Sequence, residues 1–453
     1  MYSALLSGKT DPAMATPRTA RTASTRNPAH PKSLTISLGE ILQPGELDRS
    51  LVRSYGRHAI EPDNVILDFG RCRYVDITEL CATIAFFRSR FDRRKRTQLK
   101  LPRNRDTRVF MNVWKFVDAL VDSVGQPKEQ LVVSEDRKFL YEPITTYRGL
   151  SQSLHALETR WTPNESKPAE RKNFFGFMTY KLGPKQMNLF LDENALIPLN
   201  EATRWQGPLI KAVLGNHLRS QSGEEDEVSR VVIYESLANA VQHPYASTIQ
   251  VASRYYRPEP TGSEATSDGQ QGAITICVWD DGESMVDTLG RVLRKGGKVR
   301  QTLFPTSMYE RVLLKVKDES GKKLHEDVTI DQAEDPLPNA SDEMLLLACL
   351  FPGVTRRVVD RVTEIRKLST SSLDSPDLAS SLGMGLYILT RTVVDRYGGE
   401  LSIRSGSYFL NLKLAYDAVR VLSNVRYICS VTRYPGHFPQ FKGNLLLIRI
   451  PSR

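Results

Sequence analysis

The sequence has no apolar run approaching the roughly 18 residues needed to span a bilayer, so no membrane-embedded segment is expected. Met1 to Ser33 is polar and basic with scattered Pro, Ser and Thr, and lacks the apolar stretch of a secretory signal. Its Arg-rich, acid-poor make-up also suits an organelle transit peptide; a disordered basic tail over 1–32 is the plainer expectation. Cysteine is sparse: Cys72, Cys81, Cys277, Cys349 and Cys429 are odd in number, far apart and without a C-x-x-C pair. That argues against a disulfide framework or a zinc site and suits a reducing cytosol, so a cytoplasmic location is expected. The thiols read as buried filler rather than nucleophiles.

At 453 residues the chain exceeds one ordinary core, and two or three domains of about 100–200 residues each are expected. Hydrophobic content of 40% and charged content of 25% are those of a soluble globular protein. The formal charge is +10. Much of the excess sits in one run, Arg88, Arg90, Arg93, Arg94, Lys95 and Arg96. Such a run can meet nucleic acid or an acidic partner. Few aromatics interleave it and no nucleic-acid-binding motif surrounds it, so a solvated surface is expected and a nucleic-acid partner is disfavoured.

From Ser33 to Leu120 strand-like and helix-like runs alternate. Ser33–Leu42 alternates apolar and polar, Leu47–His58 suits a helix and Asn64–Phe69 a buried strand. Leu80–Phe87 is an apolar helix, Leu99–Leu101 a strand and Val109–Leu120 a helix. This order predicts an α/β domain over 33–125. At its centre stands Tyr74-Val75-Asp76-Ile77-Thr78-Glu79-Leu80. The stretch resembles one in the STAS fold of anti-sigma-factor antagonists, where a strand ends in D-S-S-G or D-S-T-G and runs into a helix carrying the regulatory Ser or Thr. Asp76 and Thr78 fit that pattern, whereas Ile77 and Glu79 do not. The resemblance implies that Thr78 is the phosphoacceptor. Read from the residues alone, Asp76 or Thr78 caps the helix by accepting a backbone N–H.

The pattern weakens from Glu129 to Asn200, where Thr162–Arg171 is polar and contains Pro163 and Pro168; 126–205 reads as a linker or an unassigned region. Order returns with the amphipathic Pro208–Ser220 and the acidic Glu224–Glu227, whose charges suit the positive start of a long helix running to about His243. Strand-like Thr248–Tyr256 and Ala273–Trp279 follow, joined by a Gly-, Ser- and Pro-rich loop, Arg257–Gln271.

Three motifs stand in order in this half. Glu235-Ser-Leu-Ala-Asn239-Ala-Val-Gln-His243 lies on the long helix, Asp280-Asp281-Gly282-Glu283-Ser284 ends a strand, and Gly383-Met384-Gly385-Leu386-Tyr-Ile388 opens a second helix. They resemble the N box and the two glycine boxes of the GHKL ATPases, the superfamily of gyrase, heat-shock chaperones, histidine kinases and mismatch-repair ATPases. Asp395-Arg-Tyr-Gly398-Gly399-Glu-Leu-Ser-Ile403-Arg-Ser405 and Gly443-Asn-Leu-Leu-Leu-Ile-Arg-Ile-Pro451 resemble its later helix–turn–strand and its final strand. The resemblance covers about 208–453. It implies an α/β protein whose 206–453 segment is a two-layer sandwich of GHKL (Bergerat) type. A long lid insertion at 286–380 and a second excursion, Asp417–Phe441, exceed the minimal family domain.

Residues four apart share a helix face, so Glu235, Asn239 and His243 form one polar stripe; a solvated helix side looks the same. By the resemblance, Asn239 helps to hold Mg²⁺ on the phosphates of ATP, a hard cation that keeps several waters. Glu235 is then the general base, while His243 touches phosphate or packs at the helix end. Asp280 accepts from the adenine amine and selects ATP over GTP; a carboxylate there needs a donor once desolvated. Gly282 lets the base approach, and Ser284 stands where a second glycine is usual. Gly383, Gly385 and Leu386 open a helix whose N–H groups attract anions.

His155 and His217 lack the flanking acid and Pro-containing helix of a sensor-kinase phosphoacceptor, and no transducer-like segment is expected after the last strand. The remaining similarity is to anti-sigma-factor serine/threonine kinases, with their E-x-x-x-N-A-x-x-H box. The function implied is an ATP·Mg-binding regulatory protein that hydrolyses ATP or phosphorylates a Ser or Thr. The acceptor would lie on a STAS-type partner or on the chain's own N-terminal domain, and a homodimer is admissible. A non-catalytic ATP-dependent interaction module and a nucleic-acid-associated ATPase are the alternatives.

Overall fold

A computed structural model describes residues 33–55, 61–141, 178–181, 232, 235–236, 239–240, 246–256, 273–296, 309–333, 340–354, 385–415, 425–435 and 441–451. His243, Gly383, the expected tail, Glu224–Glu227 and the Arg257–Gln271 loop lie outside them.

The N-terminal unit alternates strand and helix. In chain order it runs β1 (Ser33–Ser37), β2 (Ile41–Leu42), α1 (Glu46–Tyr55), β3 (Asn64–Asp68), β4 (Tyr74–Val75), α2 (Ile77–Asp92) and β5 (Arg96–Lys100). β1, β3 and β5 pair in parallel in that order, beside a parallel β2–β4 pair. Parallel neighbours require crossovers, which α1 and α2 supply. α1 buries Leu47, Leu51 and Tyr55, one helical face. α2 buries residues nearly all round because it is covered on two sides, by its own unit and by a second, larger sheet. Val109–Leu120 is not one helix. Lys115 takes a left-handed φ of 52°, which divides α3 (Arg105–Val113) from α4 (Phe116–Val124). Packing continues past 125 through α5 (Lys128–Leu131) and a 3-10 turn at Ser134–Tyr141, where Val133 N–H donates to the Leu99 carbonyl and Leu101 N–H to Asp136.

The basic run does not lie wholly in solvent, as its charge suggests. Arg90 is fully buried and donates to Tyr55 Oη, Thr97 Oγ1, Glu61 Oε1 and the carbonyls of Pro62, Asp63 and Arg96. A guanidinium with five donors is the one cation that can tie so many acceptors at once. It fastens the end of α2 to the entry of β3 and to β5.

The large sheet has nine strands. They are β6 (Met178–Lys181), β7 (Thr248–Tyr256), β8 (Ala273–Asp280), β9 (Arg311–Asp318), β10 (Val328–Asp331), β11 (Glu400–Gly406), β12 (Tyr408–Leu414), β13 (Val425–Arg433) and β14 (Phe441–Pro451). Their order is β10-β9-β13-β12-β11-β14-β8-β7-β6, antiparallel except for the β9–β13 pair. Within 286–380, where the resemblance places a lid, the described residues form α6 (Met285–Arg294), β9, β10 and α7 (Asp342–Ala348). β13 lies in the second excursion, so the two excursions pair with each other inside the sheet.

Successive side chains of a strand point to opposite faces. Ile276 and Val278 of β8, Leu401 and Ile403 of β11, and Leu446 and Ile448 of β14 share one core. That helix face is covered by α6, α7, α8 (Gly385–Thr390) and the helical residues Val232 and Ala240. Cys277, Trp279 and Leu445 point the other way, into a core shared with α2 and α4. The N-terminal unit therefore covers the reverse face of the large sheet. Gln250 of β7 donates across this junction to Ala119 O and Ser123 Oγ of α4. No described helix is long and apolar enough to cross a membrane, and the five cysteines are free.

Candidate functional site

β8 delivers Asp280 at its C-terminal end. The alternation running through Ile276 and Val278 aims its side chain at the helix face, and it is 2% exposed. Strand register sets Asn444 of β14 beside Asp280, and Ser405 of β11 beside Asn444. Asn444 Nδ2 lies 3.3 and 3.4 Å from the two Asp280 carboxylate oxygens. Asn444 Oδ1 accepts from Ser405 Oγ at 2.7 Å and from Met285 N–H at 3.1 Å. Gly282 N–H donates to Asp280 Oδ1 at 2.9 Å. These amide and backbone donors hold the buried carboxylate on its described side, and a carboxylate selects N–H donors over acceptors.

The close approach of β14 to this strand end depends on Gly443. Its φ is 77°, and a methyl there would overlap the Asp280 carbonyl oxygen, so only glycine fits. Ser284 has a structural use in place of the expected glycine. Its Oγ accepts from Asp287 N–H at 3.1 Å and donates to Asp287 Oδ2 at 2.5 Å, which starts α6 directly.

Glu235 and Asn239 stand one helical turn apart, and Asn239 Nδ2 donates to the Glu235 carbonyl at 2.7 Å. Glu235 is 1% exposed. Gly385, the first residue of α8, packs directly against both. A methyl on Gly385 would stand 2.5 Å from Glu235 Oε2 and 3.2 Å from Asn239 Nδ2. Leu386 turns into the core of the helix face. The structure thus brings Glu235, Asn239 and Gly385 into contact and sets Asp280 with Gly282 at a strand end on the same side of the sheet. Asn444 and Ser405 were not singled out from the sequence. Their signal was a polar residue at each of two strand ends, directly after Gly443 and before Gly406. Among the described residues no group of three or more His, Cys, Asp or Glu could hold a metal. One Asn239 oxygen completed by phosphates and waters is a different arrangement, of the kind Mg²⁺ accepts.

Asp281 points the opposite way from Asp280. It is 1% exposed and accepts from Ser247 N–H at 2.6 Å, Thr248 N–H at 2.7 Å and Ser247 Oγ at 2.5 Å. Arg88 Nη2 of α2 lies 3.3 Å from its Oδ2.

Thr78 also lies on α2, at the reverse face. It is 4% exposed and its hydroxyl is buried with no hydrogen-bond partner. Asp76 is the helix cap, accepting from Thr78 N–H at 2.9 Å. The large sheet stands between Thr78 and Glu235, since α2 packs on one face and the Glu235 helix on the other. Next to Thr78, the buried Glu79 accepts from Gly45 and Leu47 N–H at 2.7 Å each, at the start of α1; desolvation pushes its carboxyl up to about 8.

Comparison of the chain with protein-family models, with curated proteins and with solved structures yields no match.

Proposed function

We propose that the chain is an ATP·Mg-binding regulatory protein, with a GHKL-type nucleotide site on the helix face of the large sheet and a STAS-like N-terminal unit on its reverse. The observation that carries this reading is the seating of Gly385 against Glu235 and Asn239. Two motifs far apart in sequence meet with no space for a side chain between them, as a phosphate-binding glycine turn beside a general base requires. The buried carboxylate of Asp280, held by Gly282 N–H and Asn444 at the strand end, supports the adenine half of the site.

In this reading Asp280 accepts the adenine amine and Gly282 lets the base lie close. Gly383 and Gly385 would offer N–H groups to the phosphates, with Leu386, buried in the core, anchoring the helix that Gly385 begins. His243, outside the described residues, would touch phosphate or pack at the helix end. Glu235 takes the proton of the attacking water or hydroxyl. Bound Mg²⁺, held in part by Asn239, would neutralise phosphate charge. Transfer to Thr78 of the same chain is opposed by the intervening sheet and by the buried hydroxyl. Water, or a Ser or Thr of a STAS-type partner in trans, is the acceptor this arrangement favours. A cytoplasmic setting belongs to the same reading, supported by the five free thiols.

A second reading, a non-catalytic module in which ATP sets a conformation, is favoured by the core that the N-terminal unit shares with the sheet. Calorimetric titration of ATP with Mg²⁺ into wild type and Asp280→Asn tests the nucleotide site. Saturable binding lost in the variant is expected, and absence of binding to the wild type overturns the proposal. Glu235→Ala then separates the two readings. It stops turnover and spares binding if Glu235 is a base, whereas binding without turnover in the wild type selects the module.

A further inference from the structure

We infer that Arg88, on the N-terminal unit, is a positioning residue that sets the ATP-over-GTP selectivity of the nucleotide site through Asp281. The inference rests on the ATP-binding reading above. Arg88 is four-fifths buried at the junction and engages three elements. Nη2 lies 3.3 Å from Asp281 Oδ2, Nη1 donates to Ser123 O of α4 at 2.5 Å, and Nε lies 3.2 Å from Asp92 of α2. Asp281 in turn holds the entry of β7 through the N–H groups of Ser247 and Thr248. It is joined by one peptide bond to Asp280, whose carboxylate lies on the opposite face.

The turn that begins at Asp281 thus has two anchors. On the helix face Asn444 and Gly282 hold the Asp280 carboxylate. On the reverse face Arg88 holds Asp281 against the N-terminal unit. Releasing the second anchor leaves Asp281 with its three neutral donors, so the strand end persists, but it frees the turn to rotate about β8. The carboxylate that distinguishes an amine from a carbonyl on the base then loses its fixed aim. The phosphate half of the site, at Gly385 and Asn239, has no contact with Arg88 and keeps its geometry. A site built to pair with one polar group discriminates only while that group is held in place.

The test is titration of ATP and GTP, each with Mg²⁺, into wild type, Arg88→Ala and Arg88→Lys. Amide hydrogen exchange of residues 281–284 is followed in the same three proteins. In Arg88→Ala the ratio of ATP to GTP affinity should fall about tenfold, within the usual span of coupling between sites. GTP affinity should hold and the 281–284 amides should exchange faster. Arg88→Lys, which keeps the cation, should recover most of the ratio. A merely structural role would weaken both nucleotides together, and that outcome overturns the inference. So does a wild type that binds ATP when Arg88→Ala binds it equally well with unchanged exchange. A wild type that binds neither nucleotide overturns the ATP-binding reading itself, and this inference with it, even if exchange still shows Arg88 holding the turn.

Discussion

Asp280 and Asp281 are neighbours in the chain and point to opposite faces of one sheet. The first faces Asn444 at 3.3 Å and the second faces Arg88 at 3.3 Å. The pleat alone produces this division. It makes two similar residues separable by experiment, because one belongs to the candidate site and the other to the junction with the N-terminal unit.

Asp281→Ala should cost about 3–5 kcal/mol, the usual penalty for removing one partner of a buried ion pair, and here two backbone N–H groups lose their acceptor as well. Asp280→Asn keeps the shape and most hydrogen bonds, so about 1 kcal/mol is expected, together with loss of ATP binding. Urea denaturation of both variants beside calorimetry checks the contrast. Equal stability losses would show that Asp280 is as structural as its neighbour.

Two glycines give a second contrast. Alanine at Gly443 meets backbone at a φ of 77°, and backbone cannot step aside. A loss of more than about 3 kcal/mol is expected from the left-handed strain and the overlap together. Alanine at Gly385 meets the end of the Glu235 side chain, which can swing away. Stability should change by about 1 kcal/mol or less, while turnover falls about a hundredfold because the base is displaced by about 1 Å. Thermal unfolding and ATPase rates read the two effects separately, and a fully active Gly385→Ala would remove Glu235 from its role.

Local patterning made the elements legible where pairing is short-range or alternation is clean. Asn64–Asp68, Thr248–Tyr256 and Ala273–Asp280 are strands where the alternating or apolar runs lie. The α2 helix follows Asp76 because a capping carboxylate precedes an apolar run. What stayed hidden depends on distant partners. The pairing of Val425–Arg433 with Arg311–Asp318 joins segments with no local signal for each other. Docking of α2 on the sheet was masked because an all-round apolar helix does not name what covers it. Arg90 read as surface charge because its acceptors, Tyr55, Glu61 and Thr97, come from other parts of the unit.

Thr78 is testable apart from any partner. Its hydroxyl is buried without a hydrogen bond, so Thr78→Val removes an unpaired polar atom and should be neutral or stabilising by up to about 1 kcal/mol. Thr78→Glu puts a charge into the same space and should lower stability sharply, since a buried unpaired carboxylate is costly. Intact protein incubated with labelled ATP should carry no phosphate at Thr78. Labelling there with the fold preserved, read by phosphopeptide mapping, would show that the N-terminal unit leaves the sheet in solution.

Glu79 links stability to pH. Its carboxyl titrates at about 8 in the folded protein against an ordinary value of 4.5, because burial outweighs the two N–H bonds from Leu47 and Gly45. A raised folded value means the folded state holds a proton that the unfolded chain has released. The stability due to Glu79 is therefore complete below about pH 4.5, declines as pH rises, and is lost once pH passes about 8. Glu79→Gln cannot titrate, so the stability of wild type relative to this variant should fall steadily across that window and then level off. Urea midpoints of the two proteins, measured at several pH values, isolate the effect because every other group is common to both. Parallel curves would mean that Glu79 stays ionised, its two backbone donors at the start of α1 outweighing the desolvation.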